Sequence, residues 1–237
     1  MRSSNWDVEC QVGKIMTDTV FRSGRRRATV VKWLFVASIM AQTLYLISVF
    51  AQVWLLRRGG ADTAVAKTAT SIYLGLSAGA LLYVTVYAAA AATFLMWLYR
   101  VQANLPALGI ADARWGPWWA IGCWFVPVMN WVVPFMVVRD LWKASGPEAR
   151  PGSWRNLPTP PQLWCWWGLW LMGGLVISVG WGFSLQGRRT LADSLSASIA
   201  DGIGTVLMIL CTVFATIIVA QVDRRQAARY AALSGPA

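Results

Sequence analysis

Long apolar runs bracketed by charged residues dominate the chain, and they predict its elements. A helix needs about 20 apolar residues to cross a hydrocarbon core of about 30 Å. Five runs reach that length, so the pattern predicts an all-α, polytopic membrane fold. The runs are 33–56, 72–98, 118–138, 163–183 and 202–222.

The third run differs from the others because it contains Pro127 and Pro134, with Asn130 between them. Each proline removes a backbone donor and clashes with the carbonyl four residues earlier. In lipid, each unsatisfied backbone group costs several kcal/mol. The segment 115–138 is therefore either a kinked span packed inside the bundle, or a re-entrant or interfacial helix pair.

The distribution of Lys and Arg favours the second interpretation. Cytoplasmic loops carry an excess of positive residues. Five crossings would leave 11 Lys and Arg on the cytoplasmic side and 10 outside, whereas four crossings leave 16 and 5. We therefore predict four transmembrane helices plus a Pro-kinked, Trp-rich re-entrant or interfacial segment, with five transmembrane helices as the alternative. Both termini are then cytoplasmic, as a basic tail (1–29) and a short C-terminal tail (223–237) around a membrane domain (30–222).

The composition agrees with a membrane protein and excludes much chemistry. Of 237 residues, 57% are hydrophobic and 13% charged, and the mean hydropathy is +0.50. Soluble chains have roughly 45–50% apolar and 25% charged residues. Histidine is absent, which excludes His-based metal sites, haem ligation and catalytic triads.

The remaining reactive residues indicate no metal and no cofactor. The four cysteines lie in different segments without metal-ligand spacing, and no phosphate-binding or dinucleotide-binding glycine motif is present. Every acidic residue lies outside the five runs. Because intramembrane carboxylates mark proton relays, the sequence gives little support to a proton-coupled transporter.

The stretch 97–145 carries an ordered set of motifs. Trp-x-Tyr-Arg (97–100) is followed by Pro-x-Trp (117–119), Trp-Phe-x-Pro-x-x-Asn (124–130) and Leu-Trp-x-Ala-Ser (141–145). This pattern resembles the bacterial membrane proteins of domain-of-unknown-function family 4328. The resemblance implies a multi-pass bacterial membrane protein and brings no activity, cofactor or catalytic residue.

Tryptophan is concentrated in one region, with 13 of its 16 copies between Trp97 and Trp181. Indole rings prefer the headgroup level of a membrane, and interfacial anchoring accounts for most of them. The sharper hypothesis is a Trp-lined groove in the cytoplasmic leaflet that holds a lipid or an apolar partner helix, with arginines contacting a phosphate or an acidic side chain. The candidate residues are Trp97, Tyr99, Arg100, Arg114, Trp115, Trp118, Trp124, Pro127, Asn130, Pro134, Arg139, Asp140 and Trp142.

Small residues repeat every four positions on two predicted spans. Such spacing lets helix backbones approach closely, so we expect packing between helices of one chain, with a homodimer as the alternative. The two sets are Ser71, Gly75 and Gly79 on the second span, and Gly174, Ser178 and Gly182 on the fourth.

The net charge of +11 includes a cluster beside the first span, which attracts anionic lipid. No nucleic-acid-binding module accompanies it, so nucleic acid is not an expected partner. The sequence favours a non-enzymatic scaffold or accessory subunit of the bacterial inner membrane that binds lipid or a partner membrane protein. The alternative is a small-molecule or lipid transporter or channel. An enzyme would have to be built from loop Asp, Arg and Tyr residues, of which Tyr99, Arg100 and Asp140 are the first to test. The basic cluster comprises Arg22, Arg25, Arg26, Arg27 and Lys32.

Overall fold

A computed structural model describes residues 21–59, 63–185 and 191–235 of the chain. These residues form helices and short 3-10 turns, with no strand among them. The 3-10 turns are Pro106–Leu108, Met129–Trp131 and Trp154–Asn156. The helices are α1 (Arg25–Gly59), α2 (Thr63–Ala103), α3 (Pro117–Gly122), α4 (Val133–Ala144), α5 (Pro161–Leu185) and α6 (Leu191–Ser234).

Four of these helices are long and apolar enough to cross a membrane, which confirms the predicted fold class. Their candidate spans are Arg25–Ala51, Leu81–Ala103, Pro161–Gly180 and Leu195–Ser234. The protein is therefore a membrane-spanning, all-α protein.

The segment 115–138 contains no helix of spanning length. It consists of the six-residue α3, a 3-10 turn and the start of α4. Pro134 lies in the first turn of α4, where a missing N–H costs nothing because the first turn has no intrahelical acceptors for it. Pro134 therefore begins a helix, while the exposed Pro127 lies in the break between two short ones.

The outer helices extend past the apolar runs that predicted them. Helix α1 begins eight residues before Trp33, and α6 continues to Ser234 instead of stopping near residue 222. Neither extension contains a proline, and the Arg, Lys and Ala residues that they contain are good helix formers. The candidate span Leu195–Ser234 is longer than one crossing needs, and it includes Asp201 and Asp223, which bracket the predicted run 202–222.

The described residues divide into two compact units. The connector unit combines 21–30, 93–160 and 218–235, and the span unit combines 31–92 and 161–217. The connector unit has a core of large apolar side chains, among them the fully buried Trp97, Leu105 and Trp154. Helices α1, α2 and α6 contribute residues to both units.

In the span unit, α5 and α6 approach closely at glycines other than those predicted. A Cβ on Gly204 would lie 2.5 Å from Ile177 Cγ1, and one on Gly173 would lie 3.0 Å from Met208 Sδ. At Gly174 and Gly182 a Cβ would meet nothing within 4 Å. In the described part of the chain Gly173 and Gly204 mark where α5 and α6 meet, and packing through Gly174 and Gly182 stays a prediction.

For Gly174, Ser178 and Gly182 on α5, contact with a second copy of the chain also stays a prediction. Ser178, between the two glycines, is exposed and donates only to Gly174 O of its own helix at 2.8 Å. Ser71, Gly75 and Gly79 lie in α2, but their side-chain surroundings fall outside the part of the chain that the structure describes.

Candidate functional site

Asn104, which lies within the stretch 97–145, joins three parts of the connector unit. Its Nδ2 donates to Arg22 O at 3.0 Å and to Gln226 Oε1 at 3.2 Å. Gln226 in turn donates to Val101 O at 2.8 Å and to Ser145 Oγ at 3.2 Å. Because these groups are buried, their hydrogen bonds hold the chain before α1, the end of α2, the end of α4 and α6 in one arrangement.

Arg229 holds the loops of the same unit. It is 5% exposed and donates to Leu108 O at 2.7 Å and to Gly146 O and Ala149 O at 2.6 Å. Sequence reasoning missed Gln226 and Arg229, because they lie in what reads as a short polar tail. Their spacing from the buried Val222 (four and seven residues) places all three on one helix face, which is the signal that could have found them.

Arg225 connects α6 to the loop after α4. Its guanidinium pairs with Glu148 and lies 3.7 Å from the ring centroid of Trp142, whose indole N–H donates to Gln221 Oε1 at 3.1 Å. Burial acting alone would raise the pKa of Glu148. A backbone hydrogen bond, the hydrogen bond from Arg225 and the charges of Arg225 and Arg229 outweigh it, so the pKa falls below its ordinary value.

A second acidic residue, Asp112, binds the loop around residue 154. Trp154 donates its indole N–H to Asp112 Oδ1 at 3.0 Å, and Arg155 forms an ion pair with Asp112 at 3.4 Å. The nearby Lys143 donates to Arg155 O at 3.1 Å. Burial, together with the positive charge of Arg139, lowers the pKa of Lys143.

The carboxylate of Asp140 already has hydrogen-bond partners within the chain. It accepts hydrogen bonds from Trp115 Nε1 at 3.2 Å and from Arg139 at 2.8–2.9 Å, and it is 7% exposed. Arg114 lies over the Trp115 ring, with 5.0 Å to its centroid. Tyr99 packs edge-on against Trp118 at a centroid distance of 5.0 Å. These pairs explain much of the motif as internal packing of the connector unit.

One part of the motif remains strongly exposed, and we call residues 117–132 the aromatic hairpin. Its inner side packs on α2, where Trp124 meets Phe94 edge-on at 5.9 Å. Its outer side exposes 75% of Trp118, 72% of Phe125 and 85% of Val128. A contiguous apolar surface of this kind is what a membrane or a partner covers.

Positive charge collects on one face of α2. Arg100 lies one helical turn after Met96, whose carbonyl accepts from Arg27 Nη1 at 3.4 Å. It also lies one turn before Asn104, which binds the backbone of Arg22. The three residues Arg22, Arg27 and Arg100 are called the arginine cluster below.

No member of the arginine cluster forms an ion pair within the described part of the chain. Arg100 lies close enough to Arg22, Arg27 and Tyr99 to interact with them electrostatically. Among the described residues, Arg100 Nη2 and the indole N–H of Trp97 are buried without a hydrogen-bond partner. The carboxylate of Asp223 lies nearby, because the position of a Cβ on Gly24 is 3.7 Å from Asp223 Oδ1 and 3.9 Å from Trp97 Nε1.

A further basic surface lies at the start of α1. An open cavity of about 660 Å³ is lined by Ser23, Arg25, Arg26, Thr29 and Val30. Among the residues that the structure describes, no three metal-ligating side chains come together.

These features define a class: an α-helical membrane-spanning protein whose connector unit presents an aromatic hairpin and an arginine cluster. The family model for the domain of unknown function DUF4328 matches residues 57–224. The chain belongs to this family, which confirms the resemblance carried by the motifs of 97–145. No curated protein and no solved structure matches it.

Proposed function

We propose that this protein is a non-enzymatic scaffold or accessory subunit of the bacterial inner membrane that binds anionic lipid through its connector unit. The observation that carries the proposal is the arginine cluster, in which Arg22 and Arg27 lie against the face of α2 that carries Arg100. Phosphate is the ligand that such groups bind most readily, because each can donate two hydrogen bonds to it.

The distribution of Lys and Arg along the chain supports a position of the connector unit at the cytoplasmic leaflet. With four spans, 16 Lys and Arg lie on the side of both termini and 5 on the other, so we place the connector unit at the cytoplasmic leaflet. Anionic lipids there attract basic segments by about 1 kcal/mol for each Lys or Arg.

The aromatic hairpin supplies the apolar half of the site. Trp118, Phe125, Val128 and Trp131 are each more than 60% exposed. Segments this short cannot span, whereas an apolar surface with indole rings is stable at the boundary between headgroups and acyl chains. The hairpin is thus suited to contact acyl chains while the arginine cluster contacts the headgroup.

The test compares lipids that differ only in headgroup charge. Delipidated protein is titrated with phosphatidylglycerol or phosphatidylcholine of the same acyl chains, and the bound lipid is counted by native mass spectrometry. We expect tighter binding of phosphatidylglycerol, weakened about fivefold by Arg100→Gln and about 30-fold by Arg27→Gln with Arg100→Gln, from about 1 kcal/mol for each arginine. The control is Arg224→Gln, since Arg224 is exposed and donates only to Ala220 O of its own helix.

Equal binding of both lipids, or a double variant that binds like the unmodified protein, would refute the lipid proposal. A photoreactive residue placed at Val128 separates lipid from protein partners. Cross-links to lipid in native membranes support the proposal, whereas cross-links mainly to one other membrane protein assign the hairpin to a protein interface instead.

A further inference from the structure

Basic side chains at the start of α1 lie on two faces of that helix. Arg22 and Arg27 lie against α2 beside Arg100 and form the arginine cluster. Arg25 and Arg26 instead line the open cavity of about 660 Å³, which we call the α1 cavity. We propose that the connector unit binds a lipid with two phosphate groups, one at the arginine cluster and the other in the α1 cavity. This inference rests on the proposed binding of anionic lipid and names the class of its headgroup.

The geometry of α1 separates the two faces. Successive residues of a helix are about 100° apart around its axis, and residues four apart lie one above the other. Four lining residues of the α1 cavity form two such pairs, and all four are exposed: Arg25 with Thr29, and Arg26 with Val30. Ala28 is fully buried and marks the face of α1 that packs on the connector unit. The α1 cavity therefore opens on the side of the helix that is turned away from this core.

The α1 cavity offers the hydrogen-bond donors that a phosphate group needs. Its two guanidinium groups can each donate two hydrogen bonds to phosphate oxygens. Ser23 Oγ accepts a hydrogen bond from Arg25 N at 3.3 Å, so its own hydroxyl hydrogen can be donated to a ligand. Thr29 already donates to Arg25 O at 2.9 Å. No carboxylate is among the described residues that line the cavity, so nothing there repels an anion.

The positive charge at the start of α1 exceeds what one phosphodiester neutralises. Five arginines contribute to the two faces, and none of them forms an ion pair within residues 21–59, 63–185 and 191–235. The carboxylate of Asp223 lies at this level, 3.7 Å from the position of a Cβ on Gly24, and supplies a single negative charge. A phosphodiester also carries one negative charge, whereas a lipid with two phosphodiesters brings two in the same molecule.

The bridge between the two phosphates has to be short, because the two faces begin at consecutive residues. The Cα atoms of Arg26 and Arg27 are neighbours, about 3.8 Å apart, and their side chains point to adjacent faces of one helix. A single glycerol unit joins the phosphates of a diphosphatidyl lipid, and long arginine side chains can reach both. Such a bridge raises the effective concentration of the second phosphate, so the joined lipid should bind more tightly than two separate ones.

The position of the α1 cavity along the helix favours a lipid over a soluble diphosphate. Val30, which is 50% exposed, forms the apolar part of its lining. The apolar run of the first span begins three residues later, at Trp33. Juxtamembrane arginines at the start of a span lie at the level of the lipid headgroups, so the cavity is placed where a lipid phosphate is present.

The test is a comparison of lipids with one and two phosphates. Delipidated protein is titrated with cardiolipin or with phosphatidylglycerol of the same acyl chains, and the bound lipids are counted by native mass spectrometry. We expect two molecules of phosphatidylglycerol to bind, one at each face, and one cardiolipin to displace both. Because its second phosphate is tethered, cardiolipin should bind about tenfold more tightly than phosphatidylglycerol, or more.

Variants of the α1 cavity show whether this preference depends on the second phosphate. Arg25→Gln with Arg26→Gln should lower the ratio of the two dissociation constants by about fivefold or more, since the acyl chains contribute equally in both proteins. Arg25→Lys with Arg26→Lys keeps the charge and should retain most of the preference. Arg224→Gln is the control, because Arg224 is exposed and donates to Ala220 O of its own helix. The melting temperature of each variant checks its folding.

Two results would overturn this inference: cardiolipin that binds no more tightly than phosphatidylglycerol, or a ratio for Arg25→Gln with Arg26→Gln equal to that of the control. Both leave the proposed function standing if phosphatidylglycerol still binds more tightly than phosphatidylcholine, whereas equal binding of those two lipids removes the proposed function itself. Displacement of cardiolipin by an equimolar amount of inorganic pyrophosphate would also overturn the inference, since it would assign the two faces to a soluble diphosphate.

Discussion

Replacing Arg229 by Met should loosen the connector unit more than any other single change of a polar residue on α6. Methionine keeps much of the aliphatic volume of arginine and removes the three hydrogen bonds to Leu108 O, Gly146 O and Ala149 O. The side chain is 5% exposed, so water does not replace those bonds without a rearrangement of the loops.

The magnitude follows from the number and kind of the bonds lost. A hydrogen bond to a charged group contributes about 1.5–3 kcal/mol, and an acceptor left buried and unsatisfied costs about 1–3 kcal/mol. Since the burial of a guanidinium is itself costly, the net loss is less than the sum of the three bonds. We expect about 3–5 kcal/mol, or a fall in melting temperature of roughly 6–20 °C for a chain of this size.

The assay is tryptophan fluorescence melting in detergent, combined with hydrogen exchange of the loops near residues 106–110 and 145–150. The control is Arg224→Met on the same helix, which should change stability by less than about 0.5 kcal/mol because Arg224 is exposed. If Arg229→Met melts within 1 °C of the unmodified protein and its loops exchange at the original rate, the assignment of Arg229 as the residue that holds these loops is wrong.

Two further predictions concern helix packing and pH. Gly204→Ala should destabilise the protein by about 1–3 kcal/mol, because its Cβ would lie 2.5 Å from a neighbouring isoleucine carbon, whereas Gly174→Ala, with open space around it, should be neutral or stabilising; equal melting temperatures of the two variants would contradict this packing. The lowered pKa of Glu148 means that its contribution to stability is present above the ordinary pKa of about 4.5 and is lost as the pH falls through the lower value of the folded state. Between pH 6 and pH 3 the melting temperature of Glu148→Gln should therefore fall less steeply than that of the unmodified protein. Equal slopes for the two proteins would count against the ion pair.

The all-α class, the four long apolar helices and the lack of a helix of spanning length in 115–138 follow from the sequence alone. Apolar run length and the position of Lys and Arg are local properties, and the bilayer responds to them directly. The prolines likewise determined locally that this segment breaks into short helices. The order of the motifs in 97–145 was sufficient to predict that the chain belongs to the DUF4328 family.

The contacts that the motif residues make become visible only in the folded chain. Asn104 and Ser145 contribute to a buried network through Gln226, which lies 122 residues beyond Asn104 in the chain. Whether a polar side chain is buried, exposed or paired depends on which distant segments pack around it, and no local pattern contains that information. For the same reason, the small residues of α5 that matter for packing are the ones that meet α6, and the spacing of glycines along one helix could not distinguish its inward face from its outward face.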